Sequence, residues 1–423
     1  MTRAFLFPGA IVVAIFSVLL TPPAAQRASG PVVRVVDAVT GQPIAGAIVT
    51  AGRVEIRTDT TGLFRVPDGP LDGLGVRAYG HLRAKVTSQG LAGGQADIPL
   101  TPFRPKGLYM SVYGIGDHTL RTAALKLIGT TGVNTLVIDM KGDRGIIPYR
   151  SSITLASTVG AQQIITIKDL PALMSSLHAR GIYTIARIVV FKDQLLASGR
   201  PDLAIHRTDG SVFRDNEKLS WTDPYSHEVW DYNIAVATEA AAAGFDEIQF
   251  DYVRLPDSDG LVFQEPHTED NREAAVNGFL REARTALIPF NVFLAADVFG
   301  YVCWNTDDTG IGQDLPGMAG IVDYVSPMLY PSGFQLGIPG FRNPMEHPHE
   351  IVELSLKRGI ERLEAPAVRF RPWLQAFRDY AFGGRPFGRA EIQSQITAAE
   401  AAGSDGWMLW NPRNEYAASD IAP

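Results

Sequence analysis

From Gly107 onward, eight short apolar runs alternate with stretches of helical periodicity, and no other feature of the chain restricts its fold as strongly. The runs are Gly107–Tyr113, Thr135–Asp139, Tyr183–Phe191, Glu247–Asp251, Val292–Asp297, Val322–Tyr330, Phe370–Phe377 and Gly406–Asn411. Helices are expected between them at Thr119–Thr130, Leu170–Ala179, His227–Ala243, Asn271–Leu287, Glu350–Leu363 and Arg389–Ala402. Gly132, Gly181 and Gly244 follow three of these helices, where a left-handed cap is expected. Eight strands joined by helical crossovers argue for a closed parallel (β/α)8 barrel, a TIM barrel, in an α/β fold. An open doubly wound sheet lacks support, because no strand runs into a Gly-x-Gly-x-x-Gly phosphate loop. Three excursions are long: Lys192–Ser226, Tyr252–Asp270 and Pro331–His349. All three leave the C-terminal ends of strands, where such barrels build their sites.

Residues 31–101 read as a separate unit. Short strands at Val32–Val36, Ala47–Thr50, Glu55–Thr58, Leu63–Val66, Gly75–Ala78 and Ala96–Leu100 are punctuated by turn residues, with no room for a helix. A small all-β, antiparallel sandwich is expected, joined through Thr101-Pro-Phe-Arg-Pro105 to a second domain at 106–415. The pattern Val-Asp-x-x-Thr-Gly-x-Pro-Ile-x-Gly-Ala followed by Thr-Asp-x-x-Gly-x-Phe resembles the carboxypeptidase regulatory-like domain. That resemblance implies a spacer or adhesion module without chemistry of its own.

The first 25 residues carry Arg3, an apolar run Ala10–Leu20 and the small-residue zone Thr21–Ala25, which reads as a secretory signal peptide. The protein is therefore expected to be secreted, periplasmic or in the cell envelope, and to meet a membrane only if this segment stays uncleaved. A single cysteine, Cys303, leaves no intrachain disulfide, so stability must come from core burial, which 423 residues at 46% apolar content allow. A net charge of −7 with interspersed signs argues against a nucleic-acid partner.

The run at strand four carries the strongest hint of chemistry. In Gly244-Phe-Asp-Glu-Ile-Gln-Phe-Asp-Tyr-Val-Arg-Leu-Pro256, alternation puts Glu247, Gln249 and Asp251 on one face and Ile248 and Phe250 on the other. A strand does not turn half its side chains to a polar interior without something to bind there. Asp297 closes the neighbouring strand five, and adjacent strands lie about 4.8 Å apart. Two rim carboxylates so placed can flank one glycosidic bond, one attacking or activating water while the other protonates the leaving oxygen. Each aspartate could instead cap the turn that follows it. Asp139 ends strand two as a third acid.

Around this pair stand candidate substrate-binding residues at strand ends and in rim loops: Asp139, Lys141, Arg187, Arg254, Trp304, Tyr330, Gln375 and Asn411. Arg187 sits in an otherwise apolar strand, so it needs a buried carboxylate, and Asp251 or Asp139 could supply one. Trp304 and Trp221, in loops, suit stacking on the apolar faces of sugars; Trp373 and Trp407 fit core and site equally. Other chemistries find little support. Strand one lacks a His-x-His end, no Gly-x-Ser-x-Gly elbow occurs, and His347-Pro-His349 lies in a Pro-rich loop that reads as solvated. No metal and no other cofactor is expected.

Lys106-Gly-Leu-Tyr-Met, Asn134-Thr-Leu-Val-Ile-Asp-Met-Lys141, Gly244 to Pro256, Asp297-Val-Phe-Gly300, Asp323-Tyr-Val-Ser-Pro-Met-Leu-Tyr-Pro331 and Gly406-Trp-Met-Leu-Trp-Asn411 together resemble a bacterial family of putative glycoside hydrolases of unknown function. The resemblance implies a TIM-barrel glycosidase acting on an oligo- or polysaccharide. By analogy with glycosidase clans whose nucleophile ends strand four, it assigns Asp251 as nucleophile or base, and Asp297 is then the acid. The expectation is an exported glycoside hydrolase cleaving an envelope or extracellular polysaccharide. The competing expectations are a barrel that binds glycan without cleaving it, betrayed by the lack of a second carboxylate near Asp251, and a scaffold that engages an envelope partner through its sandwich.

Overall fold

The computed structural model describes residues 30–69, 71–92 and 97–422, so the expected signal peptide lies outside the described residues. Eight parallel strands close into a barrel in chain order: Lys106–Met110, Thr135–Lys141, Tyr183–Val189, Glu247–Asp251, Phe293–Phe299, Tyr324–Met328, Trp373–Gln375 and Trp407–Trp410. Every neighbouring pair, including the eighth with the first, is parallel. Six long helices flank it where periodicity predicts them, from His118–Thr130 to Arg389–Ala401. Gly181 and Gly244 take left-handed conformations after their helices. Gly132 does not: its helix ends on an extended Thr131 instead. The outer residues of the strands pack with the helices in one large core, while Val137, Ile185, Phe293, Ala295, Tyr324, Trp373 and Met408 fill the barrel's interior.

Several strands are shorter than expected at the C-terminal rim. Strand one stops at Met110, so Tyr113 lies in a turn, half exposed. Strand six stops at Met328, and Tyr330 begins the loop beyond it. Strand five runs on to Phe299, past the expected end at Asp297.

The N-terminal unit holds two small sheets over their own apolar cluster, one of three strands and one of four. Two expectations fail there. The first strand, Val32–Asp37, pairs parallel with the last, Asp97–Leu100, so the unit is not wholly antiparallel. A short helix, Ser88–Ala92, follows an additional strand, Ala84–Thr87.

This unit covers the N-terminal mouth of the barrel. Tyr79, Leu82 and Phe103 pack against the interior cluster, with Tyr79 edge-on to Tyr324 at 5.8 Å and Phe103 against Tyr183 at 5.4 Å. Arg83 donates to Asp246 at 3.1 Å and to the Gly244 carbonyl at 2.9 Å, and Arg77 donates to Asn291 at 3.0 Å. Glu55 is shared by Arg77 and Arg284. Beside the unit's own apolar cluster, side chains from 79–103 also complete the barrel's interior at its closed end.

Candidate active site

Strand register builds the site at the opposite end. Val189 on strand three pairs with Asp251, and Phe250 pairs with Ala296 on strand five, so the next step of the register sets Asp251 beside Asp297. Alternation turns both inward, above Gln249 and Ala295. One strand further round, Arg187 pairs with Asp139 on one side and with Gln249, one inward step before Asp251, on the other, so its side chain lies between the two acids.

Arg187 ties the acids together. Its Nη1 donates to Asp139 Oδ1 at 2.6 Å, and its Nε and Nη2 donate to Asp251 Oδ2 at 3.0 and 2.5 Å. Arg187, Asp139 and Asp251 are 3%, 3% and 4% exposed, so these charges meet with little solvent between them. The guanidinium also lies 4.7 Å from the Trp410 ring centre, and Trp410 stacks on Tyr109 at 3.8 Å. Tyr109 donates its hydroxyl to Asp139 Oδ2 at 2.6 Å. The other oxygen of Asp251 accepts the backbone N–H of Tyr252 at 2.6 Å. Tyr252 has φ 48°, a left-handed conformation rare for a side-chain-bearing residue, costing about 1–2 kcal/mol. That turn points the amide back at the carboxylate.

The two central acids differ in their partners. Asp251 is an ion-paired carboxylate. Asp297 is fully buried and, among the described residues, has no ion-pair partner, though the charge of Arg187 still pulls on it: Gln249 Nε2 and Trp373 Nε1 donate to its Oδ1 at 2.7 and 2.8 Å. Its Oδ2 has no hydrogen-bond partner among the described residues. Burial above all, and then the negative charge of Asp251, hold the Asp297 pKa well above the usual carboxylate range. Because Oδ1 already accepts two donors, Oδ2 is the oxygen open to a proton. Burial also pushes Asp139 up to about 6, against the pull of Arg187 and the Tyr109 hydroxyl. Tyr330 is held above the ordinary phenol value by burial and then by the charges of Asp251 and Asp297, so its ring stands within electrostatic reach of both.

Six of the ten residues singled out from sequence meet at or beside this site: Asp139, Arg187, Asp251, Asp297, Tyr330 and Arg254. Arg254 leads from Asp251 into a cavity between the loops after strands three and four. The other four point elsewhere. A shift in the strand-two register between Asp139 and Lys141 turns Lys141 out of the barrel, where, fully buried, it pairs with Asp193 at 2.6 Å. Trp304 packs on the flank against helix Pro348–Leu363 and donates to Ser355 at 2.8 Å. Gln375 spends its amide on Ser332 and the Phe377 carbonyl, so it secures the strand-six loop instead of reaching a ligand. Asn411, one residue past inward-facing Trp410, holds the Ala376 and Glu415 carbonyls. Trp221, expected at a ligand, is 2% exposed, donates to Asp215 at 3.0 Å and forms part of the wall of the cavity that Arg254 enters.

Sequence reasoning passed over Tyr109 as a site residue, placed Gln249 on the inward polar face without a role, and left Trp373 open between core and site. Their alternation with Gly107, Asp251 and Gln375 was the available signal. Tyr252 carries none, because nothing local marks a tyrosine for positive φ.

This barrel has relatives of similar build. The glycoside hydrolase domain of PgaB (BpsB) from Bordetella bronchiseptica aligns at a TM-score of 0.54 with 14% identity, covering 76% of this chain and 99% of that one, which shows the shared fold. A hypothetical protein from Ruminiclostridium thermocellum is 36% identical over 45% of this chain and 97% of its own, at a TM-score of 0.40. A chitinase from Chromobacterium violaceum is 12% identical over 74% and 96% of the two chains, at a TM-score of 0.43. No curated protein sequence matches the chain. The family model described as "Putative glycosyl hydrolase domain" matches residues 107–416, which takes in all eight strands and the whole site. The chain belongs to that glycosyl hydrolase family.

Proposed function

We propose that the barrel hydrolyses O-glycosidic bonds in an envelope or extracellular polysaccharide, with Asp251 as nucleophile or base and Asp297 as general acid. One observation carries this reading: side by side on adjacent strands stand an ion-paired carboxylate and a buried, proton-holding one. A carboxylate held by an arginine, beside a carboxyl whose pKa burial raises, is an arrangement that can divide the roles of base and acid. The second carboxylate beside Asp251 also weighs against a barrel that only binds glycan.

Adjacent strands favour the short carboxyl separation of retaining enzymes, about 5–5.5 Å. Asp251 then attacks the anomeric carbon as that carbon's bond to the leaving oxygen breaks, and Asp297 gives its Oδ2 proton to that oxygen. Water next cleaves the glycosyl ester, yielding one proton to Asp297 and freeing Asp251 as carboxylate. Trp410 and Tyr330, both partly exposed, stand beside the pair, where a sugar can stack. The leader-like first 25 residues support export, and the 31–101 motifs support a carboxypeptidase regulatory-like module beside the barrel.

The test is a glycan panel against the full chain and two variants. Asp251→Asn is expected to abolish turnover on every substrate the wild type cleaves. Asp297→Asn should lose natural substrates yet retain activated aryl glycosides, whose leaving groups need no proton. Full activity in the Asp251 variant refutes its role. Equal collapse of both variants on the aryl glycoside refutes Asp297 as the acid.

A further inference from the structure

The cavity beside Asp251 has a composition that hydrolysis itself does not require. It encloses about 340 Å³ between residues 207–221 and 252–258. It begins at Tyr252, whose amide is bonded to Asp251, so it opens one residue from the reacting carboxylates.

Its charges do not cancel. Lys192 takes up the two acids of the strand-three loop that line the cavity, Asp215 at 3.0 Å and Glu217 at 2.9 Å. Arg254 lies over the rings of Trp221 and Tyr252, at 5.0 and 5.2 Å. Its one side-chain hydrogen bond goes to the neighbouring Leu255 carbonyl, at 3.0 Å. Among the described residues no carboxylate lies within ion-pair distance of Arg254, nor of Arg207 and Arg214 on the same wall. Asp257 is the one acid there outside the Lys192 cluster, and it is exposed. A guanidinium clamped between two aromatic rings is held still while its remaining N–H groups stay free, which suits a planar anion taken in by two parallel hydrogen bonds.

Aromatic rings also stand at the mouth. Tyr330 meets Phe377 edge-on at 5.3 Å, and Phe377 lies parallel to Tyr380 at 6.1 Å, with Tyr380 63% exposed. A sugar chain crossing the site would have aromatic rings beside it and, in Arg254, a cation with no ion-pair partner among the described residues.

We infer that this cavity is a subsite for an anionic group, a carboxylate or a sulfate, on a sugar next to the one cleaved, and that Arg254 recognises it. The substrate class is thereby an acidic polysaccharide. The assignment rests on the glycosidase reading for its place beside the scissile bond, but binding can be measured without turnover.

The experiment titrates the full chain carrying Asp251→Asn with tetragalacturonate, a chondroitin 4-sulfate tetrasaccharide and cellotetraose, read by calorimetry. The same titrations follow with Arg254→Met added. At least one acidic tetrasaccharide is expected to bind about 10-fold or more tighter than cellotetraose, and Arg254→Met should erase that difference while leaving cellotetraose unchanged. Which acid wins separates carboxylate from sulfate. Equal binding of neutral and acidic sugars, a preference that survives Arg254→Met, or no binding by any of the three overturns the subsite. Wild-type protein that cleaves a neutral glycan while failing this test keeps the hydrolase and loses the subsite. Acidic sugar bound through Arg254 yet never cleaved by wild type does the reverse.

Discussion

Replacing Arg187 by methionine should cost more stability at high pH than at low pH, and the size of the gap follows from what the guanidinium touches. Arg187 is the shared counter-ion of Asp139 and Asp251, both nearly inaccessible to solvent. Burial already holds Asp139 at about 6, roughly two units above an unpaired aspartate, which costs about 3 kcal/mol once the pH exceeds that value. The sign follows from the folded value lying above the unfolded one. The protonated group contributes stability below about pH 4, and that contribution is lost as the pH rises through 6. Methionine keeps some of the packing on Trp410 but removes the opposing charge, so the folded value climbs further. Breaking a buried pair from one side costs about 3–5 kcal/mol. That full loss is expected at pH 8. At pH 5 Asp139 can take up a proton instead, and roughly 1–2 kcal/mol should remain for lost packing and hydrogen bonds. Urea titrations of wild type and Arg187→Met at the two pH values measure the difference. Adding Asp139→Asn should return part of the loss at pH 8 only. An equal effect at both pH values, or less than about 1 kcal/mol at pH 8, would show that the charge is not what Arg187 contributes.

Lys141→Met should be destabilised by about 3–5 kcal/mol in the same titration, because it strands buried Asp193. Its kcat/KM, once a substrate is known, should match wild type; a selective loss of activity would put Lys141 back at the site. In wild type, Asp139→Asn should flatten the fall in stability between about pH 4 and 6, and an unchanged slope there would remove Asp139 as its source. Deleting residues 30–104 should leave a barrel that aggregates or melts without cooperativity, since it uncovers Tyr183 and Tyr324 at the closed end. A soluble fragment melting at the full-length Tm would show the N-terminal unit to be dispensable.

The barrel was legible because each of its elements follows from local pattern. Apolar runs of strand length alternate with amphipathic helices whose ends are marked by caps, and helical crossovers leave parallel pairing as the natural outcome. The acids were legible for a related reason. Period-two alternation in Glu247–Asp251 and in Phe293–Asp297 gives the face of every side chain, and the strand ends give the rim. The lone Arg187 in an apolar strand likewise announced its need for a carboxylate.

What the chain order could not reveal are facts about register and neighbours. One irregularity between Asp139 and Lys141 reverses the side on which a lysine emerges, and no residue type there signals it. Asn411 and Gln375 lie at strand ends like true site residues. Whether such an amide faces a ligand or ties down a loop depends on which carbonyls the fold brings near. The Pro-rich linker read as a boundary, yet Tyr79, Leu82 and Phe103 fill the barrel's closed end because an open mouth leaves apolar interior to be covered. The sequence by itself determined the strands, their inward faces and the acids they carry, since these depend on contacts a few residues long. Only the tertiary structure decided that Asp251 is ion-paired with Arg187 while Asp297, among the described residues, has no ion-pair partner, because protonation depends on burial and on charges tens of residues away along the chain.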